Sequence, residues 1–432
     1  MKRQTRHHKV QLAVIGSGLA GMAASMFALD RGLVTAQVGN TGAIAYTSGY
    51  FDLLGAADGH ALHDPWHGLD ALRRDEPDHP LSRIDNDDIA TAFSLFTTTV
   101  SAMGIGYTQS SARNRMALLP GGLVKPTLSV PNTMLGGIKA RTHGARALII
   151  DFTGLQGFSA KEFCANIGSS WPGLSSATVA FPDMQSGRQL FAEEMARALE
   201  VPQTQKLLAE RIRDHLGEAE YVGLPALLGI HAPDHVHAAM ENLIGVPLFE
   251  IPTLPPAVPG IRLREMFEQT LPKKGLTLVP QQKVQRVEFS DQGVTLSLQD
   301  NFGDVMIEAG AAILATGRFL SGGLVTDRDT VHETLLGIPV CQPSSRGDWH
   351  RQDYFDPHGH PINRAGIEVD VEFRPLNDKG TPVDEHLFAA GTVLAHQDWT
   401  RQRCGAGIAI ASSYKAVEAA SVLLNNARSK LT

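Results

Sequence analysis

Apolar residues dominate positions 10–15 at strand spacing, and an Ala-rich apolar pattern over 19–31 predicts a helix directly after them. Between and within these runs Gly16, Gly18 and Gly21 are spaced G-x-G-x-x-G. In a strand–turn–helix setting the first glycine permits the tight turn, the second lets backbone approach a phosphate, and the third lets helix pack on strand. Ser17, Leu19 and Ala20 complete that turn. A phosphate would rest on the helix N-terminus, whose first N–H groups have no intrahelical partners. A second strand is predicted over 34–38, followed by Gly39 and Asn40.

After a Ser/Gly-rich loop containing Ser48 and Gly49, the alternation of strand and helix patterns is lost. Residues 59–259 read as an insertion, with Pro-rich connectors and amphipathic segments over 89–103 and 191–216. A helix over 261–271 precedes strands over 276–279, 284–289, 294–298 and 305–309, with turns at Asp291-Gln292-Gly293 and Asn301-Phe302-Gly303. Residues 311–317 form a buried-strand run ending in Ala315-Thr316-Gly317, and 387–391 repeat the pattern up to Gly391 and Thr392. Strands that stop on small residues bring bare backbone up to a cofactor. Gly405, Gly407 and Ile408 open a last helix over 408–424, whose N-terminus suits the electron-rich edge of a reduced flavin. Together these predict an α/β fold of the FAD/NAD(P)-binding, glutathione-reductase-like Rossmann type. Residues 1–58 and 260–432 form its discontinuous flavin domain and 59–259 an inserted cap or substrate domain.

Composition adds exclusions. The chain has 432 residues, 43% hydrophobic and 19% charged, long enough for two domains and too apolar for disorder. Lys plus Arg number 38 against 45 Asp plus Glu, a net charge of −7, so no broad basic face is available for nucleic acid. Cys164, Cys341 and Cys404 provide neither a disulfide framework nor a C-x-x-C pair, which suits a cytoplasmic protein that builds no iron–sulfur cluster of its own. Lys2, Arg3, Arg6 and Lys9 before an apolar stretch mimic a signal peptide, but glycines inside the stretch belong to the nucleotide motif, and neither export nor a transmembrane helix is expected.

The acid that usually follows the second strand to bond a ribose 2′-OH is missing, which weakens the case for NAD. Either Gln37 or Asn40 binds the ribose, or the cofactor lacks an adenosine half and is FMN; FMN is the expectation, with FAD the alternative. Oxidation of an alcohol on a flavin needs a base and, for a phosphorylated substrate, cations. His396 is the candidate base, and Arg318, Arg346, Arg401 and Arg403 are the candidate cations, with Arg318 and Arg403 foremost. His231, His235 and His237, and the pair His358 and His360, do not make a metal site in this reading, because Pro233 and Asp234 start a helix that leaves His231 outside it. No metal is expected.

The stretches Thr47-Ser48-Gly49-Tyr50-Phe51-Asp52-Leu53-Leu54, His67-Gly68-Leu69 through His79-Pro80-Leu81, and Pro252-Thr253-Leu254-Pro255-Pro256 through Gly260-Ile261-Arg262-Leu263 resemble the B subunits of anaerobic glycerol-3-phosphate dehydrogenases. So do Gly317 through Leu324, Leu336-Gly337-Ile338, Arg346-Gly347-Asp348-Trp349 and Cys404-Gly405. The chain departs from them in its basic N-terminus and over residues 114–220. The resemblance implies a flavoprotein subunit of a complex that oxidises sn-glycerol 3-phosphate to dihydroxyacetone phosphate and reduces a quinone. It implies two partners, an FAD-bearing catalytic-type subunit and an iron–sulfur subunit that anchors the complex to the inner face of the cytoplasmic membrane. The alternatives are a stand-alone flavin oxidoreductase and a scaffold subunit that keeps the fold without its cofactor.

Overall fold

The computed structural model describes residues 5–40, 43–184 and 187–429, so Lys2 and Arg3 lie outside the described residues. The chain divides into two units, Met1–Ala43 with Asp52–Phe96 and Phe267–Thr432, and Ile44–Phe51 with Thr97–Met266.

The first unit is built on a seven-stranded mixed sheet. Its order is Thr277–Pro280, Thr35–Gly39, Arg6–Ile15, Gly303–Leu314, Gly293–Asp300 and Arg286–Ser290, with Leu387–Ala389 also pairing Gly303–Leu314. Thr277–Pro280, Thr35–Gly39, Arg6–Ile15 and Gly303–Leu314 run parallel, and the hairpins at 290–293 and 300–303 add an antiparallel ribbon. The strands expected separately over 305–309 and 311–317 are one strand of 12 residues, Gly303–Leu314. Its burial alternates at first and then becomes continuous from Ala311 to Leu314. The reason is the neighbourhood: the first half faces a hairpin, while the second sits in the parallel centre, buried on both faces.

The helix Leu19–Asp30 packs on this sheet and on the C-terminal helix Gly405–Ser429. Ala20 through Ala28 are all buried, and small residues allow the approach: Ser413 Oγ donates to the Ala20 carbonyl at 2.9 Å. In the C-terminal helix, Gly405–Ala427 is long and apolar enough to cross a membrane by length and composition, contrary to the expectation that no such helix is present. Its apolar residues instead supply core, with Ile408, Ile410, Ala411, Val417 and Ala420 buried, each larger side chain contributing roughly 1.5–3 kcal/mol.

The unit boundaries differ from the expected 58/59 and 259/260. Residues 52–96 stay with the sheet because Phe96 packs at 6.3 Å from Phe27 and 6.1 Å from Phe267, and Asp88 holds Lys415 at 2.8 Å. Residues 44–51 join the other unit, where Phe51 stacks on Tyr107 at 4.3 Å and Tyr50 donates to the Leu118 carbonyl at 2.6 Å.

The second unit is not an irregular cap. It carries a four-stranded, all-parallel sheet in the order Leu248–Ile251, Tyr221–Pro225, Ala147–Phe152, Leu174–Val179. The single amphipathic segment expected over 191–216 is two helices, Ala192–Ala198 and Pro202–Arg213. Pro202 lacks an N–H and so begins a helix rather than continuing one. Under the sheet Glu250, accepting 2.7 and 2.8 Å bonds from Arg262, is fully buried, and it also receives Thr133 Oγ1 and the N–H groups of Leu227 and Leu228. Burial opposes its charge, but the Arg262 charge and hydrogen bonds hold the carboxyl below its usual range.

Candidate functional site

Sheet register aligns the carboxyl ends of four strands. Ile15 pairs with Val38 on one side and Leu314 on the other, and Leu314 pairs with Ala389. Gly16, Gly39, Ala315 and Gly391 therefore emerge along one edge, where open parallel sheets bind ligands. The edge is tied by Gly16 N to the Val38 carbonyl at 2.7 Å, Ala315 N to Ile15 at 2.8 Å and Ala390 N to Leu314 at 3.0 Å.

Most of the glycines here are required by the protein itself. At Gly16, with φ +133°, a Cβ would sit 2.1 Å from the Ala315 carbonyl oxygen, and at Gly21 it would sit 2.1 Å from the Gly16 oxygen. At Gly39, Gly317, Gly391 and Gly407 it would meet Ser17, Ser321, Ala20 and the Leu53 carbonyl at 2.6 Å or less. Gly18 is different: a Cβ there meets nothing within 4 Å. It is the N-cap of Leu19–Asp30 and the helix start has no side-chain cap. Open space over an uncapped helix N-terminus fits a phosphate group. Nearby in sequence, Thr316 Oγ1 is buried with no hydrogen-bond partner among the described residues, a second polar atom that a bound group would satisfy. The residues along this edge thus fit a flavin nucleotide.

The expected ribose ligand Gln37 does not face outward. It is fully buried, and its Nε2 donates to the Gly16 carbonyl at 2.8 Å, locking the glycine turn to the second strand. The alternation of the strand turns residue 37 inward, which the missing acid could not reveal. Asn40 is exposed at the strand end, and its carbonyl accepts from Ser17 Oγ. Ser48 and Gly49 belong to the second unit, where Gly49 accepts a 2.8 Å bond from Tyr107 Oη. Thr392 uses its carbonyl on Gln397 Nε2, and Leu19, Ala20, Gly405 and Ile408 occupy the first turns of the two helices, Ala20 and Ile408 buried.

The four arginines separate. Arg318 is buried and donates to the carbonyls of Ile362 and Asn363, with burial pulling its pKa down to about 10; it holds a loop rather than presenting a free charge. Arg346 lies 4.0 Å over the Trp349 ring, and Arg401 donates to the Tyr354 carbonyl. Arg403 sits at φ +51° directly before the last helix, partly exposed, and its guanidinium makes no hydrogen bond or ion pair among the described residues. His396 does not stand alone as a base would: its Nε2 is 2.8 Å from Glu368, and Cys341 lies in the same cluster. The absence of metal-ligand spacing in the sequence hid this grouping, since its members come from three distant segments.

What holds Arg403 in place was not legible from motifs. Gln402 Oε1 accepts from the Asp398 N–H at 2.9 Å and lies 3.2 Å from His79 Nε2, and its Nε2 donates to Glu76 at 3.3 Å. Glu76 is clamped by both Arg364 terminal nitrogens at 2.6 and 2.9 Å. Burial works against the Glu76 charge, but Arg364 holds its pKa below the usual carboxylate range. His79 Nδ1 accepts from the Leu81 N–H, which leaves the proton on Nε2 for Gln402, and burial pushes its pKa down to about 4. The buried Asp398 caps Trp399–Gln402 and accepts from Asn363. The polar pattern of 76, 79, 398 and 402 was the only available signal.

The histidines named from sequence have local partners. His237 Nε2 lies 3.1 Å from the Leu248 carbonyl, His231 precedes the helix Pro233–Ile244, and His358 and His360 bond within their own turn.

Residues 11–408 match the family described as FAD binding domain. The chain belongs to that family. It therefore carries a flavin-binding domain, in keeping with the glycine edge. The family member is similar to the B subunit of the anaerobic glycerol-3-phosphate dehydrogenase of Yersinia pestis bv. Antiqua, 29% identical with 94% of this chain and 96% of the relative covered. It is 28% identical to the protein of that name from Aliivibrio fischeri, with 94% of each chain covered. A probable B subunit from Halobacterium salinarum is 28% identical, covering 96% of this chain and 99% of the relative.

Proposed function

We propose that this FAD-binding-family chain is the flavoprotein B subunit of a glycerol-3-phosphate:quinone oxidoreductase, taking part in oxidation of sn-glycerol 3-phosphate to dihydroxyacetone phosphate. The similarity to named B subunits along nearly the whole chain carries this reading. A bound flavin supplies the two-electron acceptor for the carbinol hydrogen. Gly18 and the first turn of Leu19–Asp30 hold the cofactor phosphate, and Gly16, Gly21 and Gln37 keep that turn rigid. Arg403 supplies the cation for the substrate phosphate, held by the Gln402, Glu76 and His79 network, with the N-terminus of Gly405–Ser429 beside it.

FAD is the flavin in this reading, supported by the family match, with Asn40 at the strand end for the ribose. FMN is the second reading, supported by the inward turn of Gln37 and the missing acid. Two partner subunits, one bearing FAD and one bearing iron–sulfur clusters, pass electrons to quinone and hold this chain on the inner face of the cytoplasmic membrane. Two measurements test the proposal. Heat-released flavin, identified by chromatography, separates FAD from FMN, and a colourless protein that reconstitutes with neither refutes flavin binding. Anaerobic addition of sn-glycerol 3-phosphate to the assembled complex should bleach flavin absorbance; bleaching unaffected by loss of this chain would refute its part in the oxidation.

A further inference from the structure

We propose that Cys341, Glu368 and His396 form a binding site for a zinc-class divalent cation, with water completing the coordination. The proposal is independent of the substrate the chain oxidises.

Three backbone segments bring the ligands together. Val340–Cys341 pairs antiparallel with Gly366–Ile367, Cys341 opposite Gly366. On the other side Ile367 bridges Leu394 in parallel, with Ala395 N donating to the Ile367 carbonyl at 2.9 Å. Each segment thus delivers one donor, and a thiol sulfur, a carboxylate oxygen and an imidazole nitrogen lie within 4.8 Å of one another. Thiolate, imidazole and carboxylate are the donors that zinc accepts, and three protein ligands leave a tetrahedral position for water. The surroundings favour a cation. Cys341 donates to Glu368, whose oxygen also lies 2.8 Å from His396 Nε2, so one carboxylate carries both other groups, and Asp78 adds negative charge. Of the neighbouring cations, Arg83 is engaged by Asp78 and the Val369 carbonyl, and the Arg364 guanidinium by Glu76. Glu368 is exposed and His396 half-buried, which leaves an entry path.

The backbone shows the same constraint. His396 has φ +65°, a conformation uncommon for a residue with a side chain, and its N–H is fixed to the Arg364 carbonyl at 2.9 Å. Binding is balanced in protons: the Cys341 thiol loses one to solvent, and His396 moves its proton from Nε2 to Nδ1 so that Nε2 can ligate. The bound cation would tie the loop leading to Arg403 to the two short strands.

The test is titration of the untagged full-length holoprotein, stripped of metal, with Zn2+ against a chromophoric chelator, and with Co2+ by difference absorbance. The expected result is one tight site, release of about one proton per Zn2+, and a thiolate-to-cobalt charge-transfer band. Cys341→Ser should abolish that band, and Cys341→Ser, Glu368→Gln and His396→Ala should each lower Zn2+ affinity at least tenfold, while Cys164→Ser leaves it unchanged. No binding by the wild type, or equal affinity in all four variants, overturns the proposal. Glu368→Gln replaces an exposed side chain with its isostere, so it reports on the site even if the other variants fold poorly.

Discussion

Gly18 and Gly21 separate the two roles that a glycine fingerprint combines. Gly18→Ala places a methyl group where nothing lies within 4 Å, on a backbone at φ −77° and ψ −175° that any residue adopts. Alanine is the poorer N-cap by about 0.5 kcal/mol, and the stiffer unfolded chain returns about as much, so stability should stay within about 0.5 kcal/mol of the parent. Gly21→Ala pushes its methyl to 2.1 Å from the Gly16 oxygen and 2.7 Å from its carbon, both backbone atoms of a turn held by Gln37. Helix and strand must part by about an ångström, and overpacking of this kind costs about 3 kcal/mol. Urea unfolding of the flavin-free chain reads these differences without the stabilisation that a ligand adds. Flavin titration of the same proteins should show Gly18→Ala weakened at least tenfold, about 1.4 kcal/mol, because the methyl occupies the space left for the phosphate. Wild-type flavin affinity in Gly18→Ala, or unfolding of that variant as easily as Gly21→Ala, would refute the assignment of the open space to the cofactor.

Arg403→Ala should lower turnover over KM for sn-glycerol 3-phosphate in the assembled complex at least tenfold while the unfolding midpoint hardly moves, since its guanidinium supports nothing in the fold among the described residues; unchanged kinetics would remove it from the site. His79, neutral when folded with its pKa down to about 4, gains protons more readily unfolded, so its contribution is whole above pH 6.5 and is lost as pH falls towards 4, by up to about 3 kcal/mol. His79→Gln should flatten that part of the stability profile, and an unaltered slope between pH 6.5 and 4 would contradict the assignment. Glu250→Gln leaves Arg262 charged, buried and unpaired, so the loss should be roughly 3–5 kcal/mol by urea unfolding, and a loss under about 1 kcal/mol would show that water reaches the pair.

The glycine turn, the strand and helix around it and the antiparallel hairpins were written in local pattern, because each depends on backbone freedom and on periodicities of two or 3.6 residues. Even the start of Pro233–Ile244 followed from one proline. The parallel sheet of the second unit was not legible: its strands are short, buried runs separated by helices, and nothing local states which pairs with which. The candidate site shows the same division. Gly16, Gly18 and Gly21 announced a phosphate turn, but whether Gln37 faced a ribose or the Gly16 carbonyl depended on the strand's face in the folded sheet. Four arginines were equivalent in sequence; packing buried Arg318, stacked Arg346, engaged Arg401 on a carbonyl and left Arg403 without a partner among the described residues. Cys341, Glu368 and His396 are too far apart along the chain for any spacing rule, and only cross-strand pairing made them neighbours. Sequence by itself determined where the backbone turns and which runs are apolar, since those are properties of adjacent residues. Tertiary structure decided which polar groups meet, because desolvation and hydrogen bonding act between segments that the chain alone does not order.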